Sequence, residues 1–283
     1  MTTQTQIRKY EMKGNPIFQE VPQIDNHRHD ETRQEILAIH NERFRGDSRI
    51  ADFNKYEKGQ PLTYSNTPRA LSYEQRAKDL GITEFHVLSP EEVVQHWEVL
   101  PERDSTYADT NSVALFPNPS PNPDNEILRK IVLDILGMKR AEGPFKVSGL
   151  DVFPAENSYK FTFAETGSTR AEEAPYLKQD GKVSYNGTQL VSSEEGVQIW
   201  VPGDQSGLRW FYRNGSGGLY AGDDYLLGSL DSGRVQIFYD PQGRAENLES
   251  RLSELNAQRE QQIAEIDARY RQASGFLRTG RFQ

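Results

Sequence analysis

The sequence predicts an α+β protein: a small α/β unit followed by an antiparallel β meander or sandwich, with an extended N-terminal arm before them and a long C-terminal helix after. Three observations carry this expectation. Ser72 with Gln75, and Ser89 with Glu92, have the capping-box spacing that marks helix starts, and the apolar run ITEFHVL lies between them. Beyond Gly143 the apolar residues switch to period two, in short runs bounded by Gly, Asn, Asp and Pro. From Leu248 to Ile266 a Leu/Ile stripe returns near the helical period. The boundaries that follow are an arm over 1–70, an α/β unit over 71–143, a β domain over 144–241 and a C-terminal helix with a basic aromatic tail over 242–283.

In the arm the spacing predicts one helix over about 30–45, with Ile36, Leu37, Ile39 and Phe44 as its few apolar residues. Pro22, Gly46, Gly59 and Pro61 punctuate polar sequence around it, a composition too poor in hydrophobes to bury much of itself. The first helix of the α/β unit is expected to run from Ser72 to Leu80 and stop at Gly81, a residue suited to a left-handed cap. A strand over 82–88, a helix with Pro90 at its first position, a strand over 111–116 and a helix from about Asp124 follow, with a right-handed crossover joining the two strands. In the β domain, FKVSGLDVF, SYKFTFAE, KVSYNG, GVQIWVPG, LRWFYRNG and RVQIFYDPQG read as strands. The final helix, about 244–274, puts Arg259 and Gln262 at the seam of a strict heptad, so a helix lying along a surface fits better than a long coiled coil.

Composition narrows the function. With no cysteine, disulfides, thiolate nucleophiles and sulfur-ligated zinc are excluded. A net charge of −9 disfavours nucleic acid, which asks for a basic face. No apolar run approaches the roughly 18 residues of a membrane helix, and the start MTTQTQIRKYEMKG lacks the apolar core of a secretory signal, so we expect a soluble chain, cytoplasmic or in a virion. The acid is concentrated in the middle: residues 61–243 carry sixteen Lys/Arg against twenty-six Asp/Glu, whereas after Asp267 only basic charges follow, interleaved with aromatics.

Four groups of residues are candidates for chemistry or binding. In QIDNHRHDET, the sequence Asp25-x-His27-x-His29 resembles the opening motif of metal-dependent amidohydrolases, a resemblance that implies a divalent ion and hydrolysis. It covers this short stretch alone, and no histidine follows His96 to complete such a site, so these residues are expected to lead into a helix. Glu84 and His86 alternate on one strand face at the spacing of an acid/base pair. Asp223 with Asp224, and Glu172 with Glu173, are acidic pairs expected in turns, where calcium is the ligand to consider. Alternation puts Trp200, Phe211 and Phe238 on one sheet face, either buried by an apolar cover or open to bind sugars by ring stacking.

No nucleophile elbow, phosphate loop or dinucleotide glycine pattern accompanies these groups. The expected function is therefore non-enzymatic: a structural subunit of a virion capsid or tail, or another homomeric assembly, held by arm exchange between copies. No cofactor or metal is expected, and the partners are other copies of the chain and other assembly proteins. The expected interface residues are Leu248, Leu252, Leu255, Ile263 and Ile266 on the helix stripe and Arg278, Arg281 and Phe282 in the tail. The alternatives are a carbohydrate-binding module using the aromatic sheet face, or a metal-dependent hydrolase using His27 and His29.

Overall fold

The computed structural model describes residues 26–51, 64–82, 85–100, 107–214, 217–222, 225–228, 233–235 and 237–239, all within one unit ending at Tyr239. The mixture of helices and sheet is α+β. The C-terminal helix, its stripe and tail residues, and residues 1–25 lie outside the described residues.

Helix α1 (Asn26–Arg43) opens the described chain, four residues earlier than its apolar spacing suggests. Residues 26–51 do not stand away from the body: Ile36, Phe44, Ile50 and Ala51 are buried, and α1 packs on α2 (Thr67–Asp79). The start of α2 departs from the expected Ser72. Asn66 is the N-cap, its side chain accepting from the Arg69 amide, and Pro68 occupies the first turn. Ser72 sits inside the helix, where its hydroxyl meets His40 Nδ1 of α1 at 2.8 Å. Gly81 closes α2 with a φ of 71°, as its sequence position suggests.

Strand β1 (Phe85–Val87) and helix α3 (Pro90–Gln95) follow, and at α3 the capping box is formed, with Ser89 and Glu92 each satisfying the other's backbone amide. Strand β2 (Tyr107–Leu115) and helix α4 (Pro123–Ile135) come next. The remaining strands are β3 (Phe145–Ser148), β4 (Asp151–Pro154), β5 (Phe161–Ala164), β6 (Arg170–Glu173), β7 (Gly181–Tyr185), β8 (Leu190–Ser193), β9 (Val197–Trp200), β10 (Leu208–Asn214), β11 (Gly218–Ala221), β12 (Gly233–Val235) and β13 (Ile237–Tyr239).

Among the described residues nine strands share one sheet, in the order β6-β3-β2-β10-β11-β9-β7-β8, with β12 paired to β2. Two expectations change here. β1 does not pair with β2 across a crossover; it pairs with β13, and β2 sits inside the sheet of later strands. The sheet is also mixed rather than an antiparallel meander, because β9 runs parallel to β11 and β12 parallel to β2.

Strand β2 explains the layering. Its residues alternate between two cores: Val113 and Leu115 face α4 and the β4–β5 hairpin, while Ala114 joins the opposite core with Phe211, Ile199 and Leu219. Strand residues buried on both faces read as a continuous apolar run, as VALF does. Leu128 and Val132 of α4 are fully buried in the first core, each contributing about 1.5–3 kcal/mol.

Buried charge ties the helical layer to this frame. Asp151 of β4 receives Arg76 of α2 at 2.6 Å and Arg43 of α1 at 3.0 Å, so one carboxylate fastens both helices. Lys146 of β3, itself buried, is held by Glu91 of α3 at 2.6 Å and Glu172 of β6 at 2.8 Å.

Candidate functional site

The described structure places aromatic rings in one row across four strands. Strand pairing sets it: Trp200 of β9 lies opposite Tyr220 of β11, Tyr220 opposite Tyr212 of β10, and Tyr212 opposite Asp109 of β2. Cross-strand neighbours on one face stand close enough for their rings to meet. Trp200 and Tyr220 stack with centroids 6.0 Å apart at 25°, and Tyr220 and Tyr212 at 5.3 Å and 19°. Tyr212 then touches Trp210 at 5.1 Å and Tyr107 edge-on at 5.9 Å.

Glycines make room for these rings. A Cβ on Gly222 would meet Tyr212 Cε1 at 2.6 Å, one on Gly228 would meet Trp210 Cζ2 at 2.6 Å, and one on Gly217 or Gly233 would meet the hydroxyl of Tyr220 or Tyr107 at 2.9 or 2.5 Å. The row runs from solvent to core: Trp200 is 40% exposed, Tyr220 and Tyr212 are half-buried, and Trp210 is buried. The indole N–H of Trp200 reaches the Gly217 carbonyl at 3.4 Å, which orients the ring.

This face differs from the expected one. Phe211 is 1% exposed and packs in the opposite core with Ile199 and Leu219, so it does not share a face with Trp200. Tyr212 and Tyr220 are the residues beside the tryptophan. The reason is the pairing through β11: Tyr220, which faces Trp200 of β9, lies opposite Tyr212, whereas Phe211 lies opposite Ala221. On the other side of β10 a bulge in β2 sets two steps of β10 against four of β2, and Thr110 of the bulge donates to the Phe211 carbonyl at 2.6 Å. Phe238 lies on β13, which belongs to a separate two-stranded pairing, and its side chain is outside the described residues.

His86 takes a different partner from the one its strand suggests. Glu84 is outside the described residues, and His86 Nε2 meets Glu92 Oε1 at 2.6 Å. Burial pulls the imidazole down, but the Glu92 hydrogen bond and charge, with Glu74, outweigh it and leave the pKa above its ordinary value. For Glu92, burial pushes up, yet His86 and the Ser89 cap outweigh it and hold the carboxyl below its ordinary value. Both groups are thus stabilised in their charged forms. Ser89 donates to the carboxylate at 2.9 Å and not to the imidazole, so the order of contacts is that of a capped helix rather than an activated nucleophile.

The chain matches no family model, no curated protein and no solved structure. His27 and His29 lie in the helical backbone of α1, where positions two apart do not share a face. Their side chains are outside the described residues. Among the described residues no group of three or more metal-ligating side chains converges. Glu172 and Glu173 lie in β6 rather than in a turn, and Glu172 is engaged by Lys146 and Arg170. Asp223 and Asp224 are outside the described residues.

Two residues of the row escape a sequence reading. Tyr212 and Tyr220 differ in no local signal from Phe211 and Tyr225. The glycines of GSGGLYAG are the available hint, since a glycine beside an aromatic strand often marks a close approach.

Proposed function

We propose that the chain is a non-enzymatic structural subunit that assembles with copies of itself, of the kind found in a virion capsid or tail, and that the Trp200 end of the aromatic row is a contact point between copies. The observation that carries this reading is the exposure of a tryptophan held rigid by stacking. A tryptophan 40% exposed leaves about 100 Å² to bury, about 2.5 kcal/mol, which is the size of an interface hot spot. The ordering cost is small because Tyr220, Tyr212 and the Gly217 carbonyl already fix the ring. Charge supports contact between unlike surfaces of two copies: the middle of the chain is acidic, and the last sixteen residues carry basic charge alone. Arm exchange through residues 1–25 and the expected interface residues of the C-terminal segment belong to the same proposal.

Light scattering coupled to size exclusion tests it on the full chain. The wild type is expected to elute as an oligomer at micromolar concentration, and Trp200→Ala as a smaller species with unchanged circular dichroism and melting temperature. A monomeric wild type overturns the proposal. A second reading, a carbohydrate platform, draws on the same exposed stack, since sugar rings pack on aromatic faces. Glycan-array binding by a monomeric wild type, lost in Trp200→Ala, would favour it instead.

A further inference from the structure

The inner end of the aromatic row holds a group that neither assembly nor sugar binding uses. Asp109 of β2 stands opposite Tyr212 of β10 on one side and Val235 of β12 on the other. It is 1% exposed, and neither carboxylate oxygen has a hydrogen-bond partner. Two further buried polar atoms without partners, Ser65 Oγ and Thr67 Oγ1, belong to the segment that leads into α2, which packs on β2. Ser65 lies close enough to bear on the carboxyl but closes no aligned hydrogen bond.

A buried carboxylate needs a cation or several donors. The charged side chain whose field reaches Asp109 is Arg69 of α2, and its guanidinium is committed elsewhere: Nε donates to Ile50 O at 3.0 Å, Nη2 to Ser48 O and Ala51 O at 2.8 Å each, and Nη1 to Tyr64 O. On β2 itself the Tyr107 hydroxyl donates to Ser65 O at 3.0 Å. Tyr212 faces Asp109 from β10 with its ring stacked on Tyr220, and β12 offers the aliphatic Val235. The carboxyl is therefore accommodated as the neutral acid, whose O–H can turn toward Ser65 Oγ. Burial pushes it up to about 7 against smaller opposing pulls from Ser65 and its own backbone and then Arg69.

We propose that Asp109 is a pH-sensitive latch: while protonated it holds the lead-in to α2 (Ser65 to Thr67) and strand β12 on the sheet, and when it ionises it releases them. Both elements border the core shared by α1, α2 and Val235, so releasing them loosens the helical layer on β2, while the core on the other face of the sheet, with Val183, Leu190 and Phe211, contains no residue of α1 or α2. Opening lets the carboxylate reach water, where it ionises near its ordinary value of 3.8. Linkage then makes the open state about thirtyfold more populated at pH 8.5 than at pH 5.5.

Hydrogen–deuterium exchange on the full chain, corrected for the intrinsic pH dependence of exchange, reads this directly. In the wild type, peptides covering 64–79 and 107–115 are expected to open roughly thirtyfold more at the higher pH, while 181–193, in the opposite core, stays unchanged. In Asp109→Asn the difference disappears. Equal protection of the wild type at both pH values overturns the proposal, as does a pH dependence retained in Asp109→Asn. Should that variant not fold, carbon NMR of aspartate-labelled wild type decides: one side-chain carboxyl titrating near neutrality is expected, and none titrating above pH 5.5 overturns the latch.

Discussion

Replacing His40 should change how stability depends on acid, and the structure gives the size. His40 joins α1 to its surroundings through both ring nitrogens, Nδ1 facing Ser72 Oγ at 2.8 Å and Nε2 facing Ile50 O at 2.7 Å. A carbonyl only accepts, so Nε2 carries the proton and Nδ1 accepts from the serine: the ring is built in as the neutral tautomer. Burial pulls its pKa from 6.5 to about 4, with Arg69, Arg76 and Arg43 pulling the same way against the Ile50 bond. Between those values the unfolded chain binds a proton that the folded chain refuses. Stability therefore rises with pH across the window and falls as pH drops from about 6.5 to 4, by about 3 kcal/mol. Asp109 has the opposite sign, since its raised pKa gives stability below 3.8 that is lost as pH rises through about 7. The two slopes nearly cancel between pH 4 and 6.5, so the wild-type curve alone would hide both. His40→Asn exposes them. At pH 7 the variant should be less stable by about 1–3 kcal/mol from the lost hydrogen bond and the lost ring contact with Phe44. The carbonyl of Ile50 keeps Arg69 as a donor, which limits the damage. As pH falls to 4 the deficit should shrink by about 3 kcal/mol, because the variant has no buried imidazole to protect. Urea denaturation of both proteins at pH 7, 6, 5 and 4 measures the deficit. A deficit that stays constant across the series would refute the neutral buried ring.

Asp151→Asn should destabilise by about 2–4 kcal/mol, since it takes from the 1%-exposed Arg76 its buried counter-ion and leaves it the half-exposed Asp79 at 2.9 Å, and pairing Arg76→Met with Asp151→Leu should recover much of that loss in melting temperature. Gly218→Ala should cost more than Gly187→Ala: both have positive φ, at 131° and 96°, but a Cβ on Gly218 would sit 2.1 Å from the Gln198 carbonyl oxygen while nothing lies within 4 Å of one on Gly187. Urea midpoints should show about 1–3 kcal/mol of backbone strain for Gly187→Ala and a larger loss for Gly218→Ala; equal losses would count against the tight β9–β11 approach.

Local chemistry was legible where it was self-contained. The Ser89–Glu92 box needs four consecutive residues, and the Gly81 stop needs one positive φ, so each could be read without knowing the rest of the chain. Ser72 shows the limit. Its spacing to Gln75 imitates a capping box, but its hydroxyl is taken by a histidine 32 residues earlier, and Asn66 with Pro68 starts the helix instead. The two strands of the expected crossover fail for the same reason, because β1 finds its partner more than 150 residues away in β13. Sequence period tells which residues of one strand share a face; it does not tell which face of the next strand they meet.

The aromatic row turns on that distinction. Alternation along β10 correctly separates Phe211 from Tyr212, but only the pairing of β10 with β11, and of β11 with β9, decides that the tyrosine, and not the phenylalanine, joins Trp200. Asp109 is harder still, since a polar residue in an alternating strand reads as solvent-facing, whereas here the register places it between two strands and under a helix. Both ends of the row are therefore consequences of one register. Moving β10 by a single residue along β11 would turn Tyr212 into the opposite core and bring Phe211 or Arg213 against Tyr220. The glycines oppose that slip, because Gly222 leaves space shaped for the Tyr212 ring and Gly217 for the Tyr220 hydroxyl. Their lack of side chains is thus a steric condition on the site, and it links the exposed tryptophan at one end to the buried acid at the other.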